Sequence, residues 1–119
     1  MRLFKIAALG LALGSGLCLA DDCVQPDVPT IPDGSTSTLE QMLEGQKGVK
    51  AFQAANLEYM NCLEARLGAA EAQIKEGDKD ATARYTQTQE SYNAAVSREE
   101  EVAGQFNTEI REYKAANPG

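Results

Sequence analysis

Residues 74–81 read Ile74-Lys75-Glu76-Gly77-Asp78-Lys79-Asp80-Ala81, and this stretch decides the fold because helical periodicity runs up to it and resumes after it. Gly77 with Asp78 and Asp80 breaks one helix and offers the N-cap of another. Before the break an apolar stripe recurs at helical spacing through Leu39, Met42, Val49, Phe52, Met60, Leu63, Leu67, Ala70 and Ile74. Beyond it a second stripe runs through Tyr85, Tyr92, Val96, Val102, Phe106, Ile110 and Tyr113. No proline falls between Ser37 and Asn117. A capping-box pattern, Ser37 followed by Glu40, predicts the start of the first helix. Asn117-Pro118-Gly119 predicts the end of the second, because proline disfavours helical geometry in the residue before it. The expectation is an all-α, coiled-coil-like antiparallel two-helix hairpin over 37–119, with its helices at about 37–76 and 80–115.

The register of that hairpin follows from the corner. With the turn centred near residue 78, facing residues carry numbers that sum to about 156. Leu63 then meets Tyr92, Met60 meets Val96, Val49 meets Phe106 and Met42 meets Tyr113, while Phe52 falls beside Val102 and Ala103. Apolar residues oppose one another along nearly the whole seam, to which Leu67 and Ile110 also belong. One layer departs from the rule, with Asn56 opposite Glu99. A polar layer in such a seam costs stability and fixes register.

Upstream of the hairpin, residues 21–36 (DDCVQPDVPTIPDGST) carry Pro26, Pro29 and Pro32 at every third position, the period of polyproline II. The first helix has a second stripe, Gly48, Ala51, Ala55, Tyr59 and Cys62, about 100° around from the seam. Its small residues leave a shallow groove. The 25 residues from Ser37 to Cys62 span roughly 38 Å as helix, and the 14 from Cys23 to Ser37 about 43 Å as polyproline. Those lengths allow a proline-rich strap to double back along the first helix, over Gly48 and the alanines, and to be locked by Cys23–Cys62. The alternative is a disordered linker with two unpaired cysteines.

The first 20 residues read as a signal peptide. Arg2 and Lys5 precede an apolar stretch from Ile6 to Leu19, and Cys18-Leu19-Ala20 offers a small-residue cleavage site. The stretch is shorter than the roughly 20 apolar residues of a membrane span, and Gly10, Gly14 and Gly16 loosen it. Cleavage near Ala20 leaves 99 residues with 9 basic and 18 acidic side chains, a net charge of −9. Nucleic acid and anionic membranes are therefore excluded as partners, since both are bound through lysine and arginine. No other apolar run is long enough for membrane insertion of the mature chain.

Little in the sequence points to catalysis. It has no histidine, the usual general base and commonest metal ligand. Neither a nucleophile elbow nor a phosphate-binding glycine loop occurs. Asp78-Lys79-Asp80 opens like a calcium loop, but Ala83 stands where glycine is needed and Gln89 where glutamate is needed. The run Ser97-Arg98-Glu99-Glu100-Glu101 reads as a solvated helix face. No catalytic residue, metal or cofactor is expected; an enzyme built on Glu99 and Glu100 would need a closed pocket that a bare hairpin scarcely offers.

Residues 23–64, CVQPDVPTIPDGSTSTLEQMLEGQKGVKAFQAANLEYMNCLE, resemble small exported helical proteins of Gram-negative bacteria with a Cys, spaced prolines, Ile-Pro-Asp-Gly and a Tyr-x-x-Cys-Leu segment. The likeness covers under half the chain. It implies export and a paired Cys23 and Cys62, and lends no activity. The expected function is that of a non-enzymatic periplasmic or secreted protein with a structural or protein-interaction role, its partner a protein or a second copy of itself. The alternative is a holdase-type chaperone or inhibitor that binds polypeptide along the hairpin.

Overall fold

A computed structural model describes residues 22–119; the signal-peptide reading of residues 1–20 lies outside them. The described residues form two antiparallel helices, α1 (Leu39–Lys75) and α2 (Asp80–Ala116), preceded by an extended strap over 22–33 and a turn over 34–36. Among the described residues no helix is long and apolar enough to cross a membrane.

The corner forms because Gly77 adopts a φ of 93°, open to glycine at little cost. The Asp78 N–H then reaches the Gln73 carbonyl at 3.0 Å, and the Gly77 N–H reaches that of Ile74 at 3.0 Å. This pair of bonds is the Schellman closure of a helix C-terminus. Across the corner, Arg84 donates to Gln73 and to Asp78, each at 2.8 Å. The Arg84 bond to Asp78, with a further one from the Asp80 N–H, holds the Asp78 carboxyl below the usual aspartate range.

The start of α1 lies one residue later than expected. Thr38, not Ser37, is the N-cap, and Gln41, not Glu40, completes the box: Thr38 Oγ1 accepts from the Gln41 N–H and Gln41 Oε1 from the Thr38 N–H. Ser37 is occupied otherwise, since its N–H donates to the Asp33 carbonyl at 2.9 Å and closes the strap's turn.

The seam buries two apolar clusters. Met42, Val49, Phe52, Val102 and Phe106 form the first, flanked by Ile110, Tyr113 and Ile31 of the strap. Tyr59, Met60, Leu63 and Ala95 form the second, flanked by Tyr92, Val96 and Cys23. Leu67 is half-buried. The Tyr92 hydroxyl donates to Glu64 across the helices at 3.2 Å, close to the expected register. Asn56 lies in the seam fully buried, and its Nδ2 donates to the Ala95 carbonyl at 3.0 Å, so its partner is that carbonyl rather than Glu99. The two are one helical turn apart, because a helical Ala95 carbonyl is the acceptor of the residue-99 amide.

Candidate functional site

The feature that sets this hairpin apart from a bare helix pair is the strap, tethered by a disulfide between Cys23 and Cys62 whose Cα atoms lie 5.5 Å apart. It does not lie on the face of α1 alone. Pro32 sits against Gly45, where a Cβ would come within 2.6 Å of Pro32 Cδ, and Pro29 lies over Gly48. Ile31 meanwhile joins the core cluster made by both helices. Gly34 rests on the backbone of α2 at Glu109 and Tyr113 and donates its N–H to Glu109 Oε1 at 2.9 Å. Gln25, with its amide oxygen turned toward α2, accepts from Arg98 at 3.0 Å.

The strap therefore fills the crevice between the helices and forms a third layer. In that crevice Ile31 buries apolar surface against both helices at once. Of the residues expected beneath the strap, Gly48 meets Pro29 and Tyr59 is buried. Ala55 is half-buried, with Val24 and Pro26 nearby, and Ala51 is exposed. The sequence marks Gly34 only as part of a turn at Asp33-Gly34 and gives no place to Gly45 or Ile31; the Gly-x-x-Gly spacing of Gly45 and Gly48 is the available signal for Gly45.

Gly34 is the tightest point. A Cβ there would overlap the Glu109 carbonyl oxygen and lie 2.8 Å from Tyr113 N, both helix backbone atoms that cannot move aside. Gly34→Ala is expected to lift the turn off α2 and cost about 1–3 kcal/mol, as overpacking does. Urea unfolding reads the loss, and hydrogen exchange should show it concentrated at the strap turn.

The same turn gathers Asp33, Glu109 and Glu112, with one carboxylate oxygen from each within 4.8 Å of the others. Two bonds from Ser35 hold the Asp33 carboxyl below its ordinary range. The hydrogen bond and charge of Glu109 push Glu112 upward, with Asp33 adding repulsion. Because the raised Glu112 keeps more protons folded than unfolded, stability should increase as the pH falls through its raised value, and level off below the usual glutamate range. The urea midpoint measured from pH 7 to pH 5 is expected to rise, and Glu112→Gln to flatten that rise.

Glu99 and Glu100 do not share a closed cavity: Glu99 is half-buried and Glu100 exposed. Past the disulfide the interhelical crevice continues toward the corner as an uncovered trough of about 430 Å³, with Tyr59, Leu63 and Ala70 on its α1 side and Arg84, Gln87 and Ser91 on its α2 side. Comparison with protein-family models, curated proteins and solved structures finds no match.

Proposed function

We propose that this chain is a non-enzymatic exported protein, periplasmic or secreted, whose strapped hairpin serves protein interaction or envelope architecture. The observation that carries this reading is the strap itself: an extended, proline-bearing segment held in an interhelical crevice by a covalent tie. Such a tie persists where the surroundings are oxidising. The crevice also demonstrates a chemistry, the capture of extended polypeptide between two helices. Cross-linking the mature protein in intact cells, followed by recovery from the envelope and the medium, tests the reading. A discrete cross-linked partner, or a second copy confirmed by light scattering, is the expected result. A chain that stays cytoplasmic with free thiols, or one that forms no cross-link in any fraction, would overturn it.

Exposed leucines favour the second reading, a holdase-type chaperone. Leu39, Leu43 and Leu57 are 57%, 48% and 55% exposed. Gln46 and Lys50 interrupt that edge on the helical wheel. Suppression of aggregation of a reduced client at equimolar ratio separates the two, and its absence leaves the interaction role.

A further inference from the structure

We propose that Cys23–Cys62 is a redox latch: a dithiol reductant opens it in the folded protein, residues 23–30 leave the crevice, and the hairpin and the strap's turn stay in place. The state of the disulfide then decides which surface the molecule presents. Three observations carry the inference.

The first is that the strap's two ends are held differently. At the hinge end Ile31 packs into the cluster built by both helices, and Pro32 seats on Gly45. The Gly34 N–H donates to Glu109, and the Thr36 and Ser37 amides close the turn on the Asp33 carbonyl. At the latch end Val24 and Val28 are 76% and 51% exposed, and Gln25 reaches Arg98. Cys23 packs against the cluster of Tyr59, Met60, Leu63 and Ala95, brought there by its bond to Cys62. Local opening falls on the segment that buries least apolar surface, so loss of the covalent bond releases this end first.

The second is access. An open hollow of about 430 Å³ lies beside the disulfide, lined by Val24 and Pro26 of the strap and by Ala55, Tyr59 and Cys62 of α1. Both cysteines are half-buried rather than enclosed. A thiolate can therefore reach a sulfur without the helices parting. It attacks one sulfur of the pair and the other leaves as a thiolate; the reductant's second thiol then displaces the mixed disulfide. Two electrons and two protons pass from the dithiol, which ends as its own disulfide, and Cys23 and Cys62 end as thiols.

The third is the leash. Ile31 lies 8 positions beyond Cys23, so the freed thiol stays within about 25 Å of its anchor at the polyproline rise of ~3.1 Å. A tether that short keeps the two thiols at an effective concentration of about millimolar, and reoxidation recloses the same pair. In the open state α1 is uncovered at Ala55 and Tyr59, where Val24 and Pro26 had lain, and at Gly48 under Pro29.

The test uses isotope-labelled mature protein, with spectra recorded oxidised, after reduction by dithiothreitol, and after reoxidation in air. Reduction is expected to shift the signals of residues 23–30, Ala55 and Tyr59, and to leave those of Phe52, Val102 and Phe106 and the helix content unchanged. Reoxidation should restore the first spectrum. Cys23→Ser combined with Cys62→Ser should give the reduced spectrum without reductant. Between 0 and 1 M urea the reduction rate should change less than about twofold, whereas reduction that waits for global unfolding would accelerate roughly fivefold or more. Loss of helix content on reduction, strap signals that do not move, a rate that climbs with urea as global unfolding does, or a spectrum that reoxidation fails to restore would each overturn the latch.

Discussion

Replacing Cys23 and Cys62 together by serine is expected to lower the unfolding free energy by about 4 kcal/mol, the chain-entropy value for a closed loop of this length. The two residues are separated by 39 positions, and the loop they close contains the strap from Cys23 onward and α1 from Leu39 to Cys62, well past the helix midpoint. The total stability available to a domain of this size is roughly 5–15 kcal/mol, so the tie accounts for a large part of it. Its other attachments cannot replace it. Gly34 gives one hydrogen bond to Glu109 and Gln25 one contact to an arginine, and the strap valines Val24 and Val28 are largely exposed. Once untethered, the N-terminal half of the strap should leave the crevice, while the turn at Asp33–Ser37, bonded locally and close to the α1 cap, stays. Urea unfolding of the double variant measures the loss, and reductant added to the unaltered protein should reproduce it. An unchanged midpoint would show that packing alone holds the strap, and would remove the reason for the disulfide's weight in this fold.

The parts of the structure that were legible beforehand are those written in side-chain periodicity. The two stripes and the Gly77 corner specify a hairpin, because apolar surface at 3.6-residue spacing must be covered and a short polar turn permits only an antiparallel partner. Cys23 and Cys62 could be paired on paper, because the rise per residue of helix and polyproline is fixed and the two lengths agree. What was not legible depends on backbone. Ser35, Thr36, Ser37 and Thr38 are all acceptable caps by residue type; the choice fell to Thr38 because the turn at Asp33 consumes the Ser37 amide. A stripe of small residues shows where a helix can be approached, not what the approaching chain also touches. The strap's place between the helices, and the exposure of Ala51, therefore emerged only with the neighbouring helix in position. Asn56 is a similar case, since its partner is a carbonyl oxygen and no side-chain pattern announces one.

Asn56→Asp should be the most damaging single substitution in the seam, and its effect should depend on pH. The side chain is fully buried between the two apolar clusters, with Nδ2 bonded to the Ala95 carbonyl and Oδ1 without a partner. A carboxylate in its place has no donor to offer, faces a carbonyl oxygen, and stands desolvated; breaking buried polar pairs in this way costs about 3–5 kcal/mol. Protonation repairs part of the damage, because a carboxylic acid can donate its O–H to the Ala95 carbonyl. The folded-state pKa of the introduced acid is therefore raised above its unfolded value, the folded protein binds more protons in the interval between them, and stability must recover as the pH falls through the raised value. Recovery should be complete near the ordinary aspartate pKa of about 3.9. The difference in urea midpoint between Asn56→Asp and the unaltered protein, followed from pH 8 to pH 4, is expected to shrink steadily. Asn56→Ala supplies the contrast. It forfeits a hydrogen bond worth about 1 kcal/mol but also removes the unsatisfied Oδ1, whose burial costs a similar amount, so it should fall within about 1 kcal/mol of the unaltered protein at every pH. An asparagine at so finely balanced a position contributes little net strength to the seam. The amide ties α1 to the backbone of α2 at one point inside an otherwise apolar seam, where a polar side chain fixes pairing at a cost in strength.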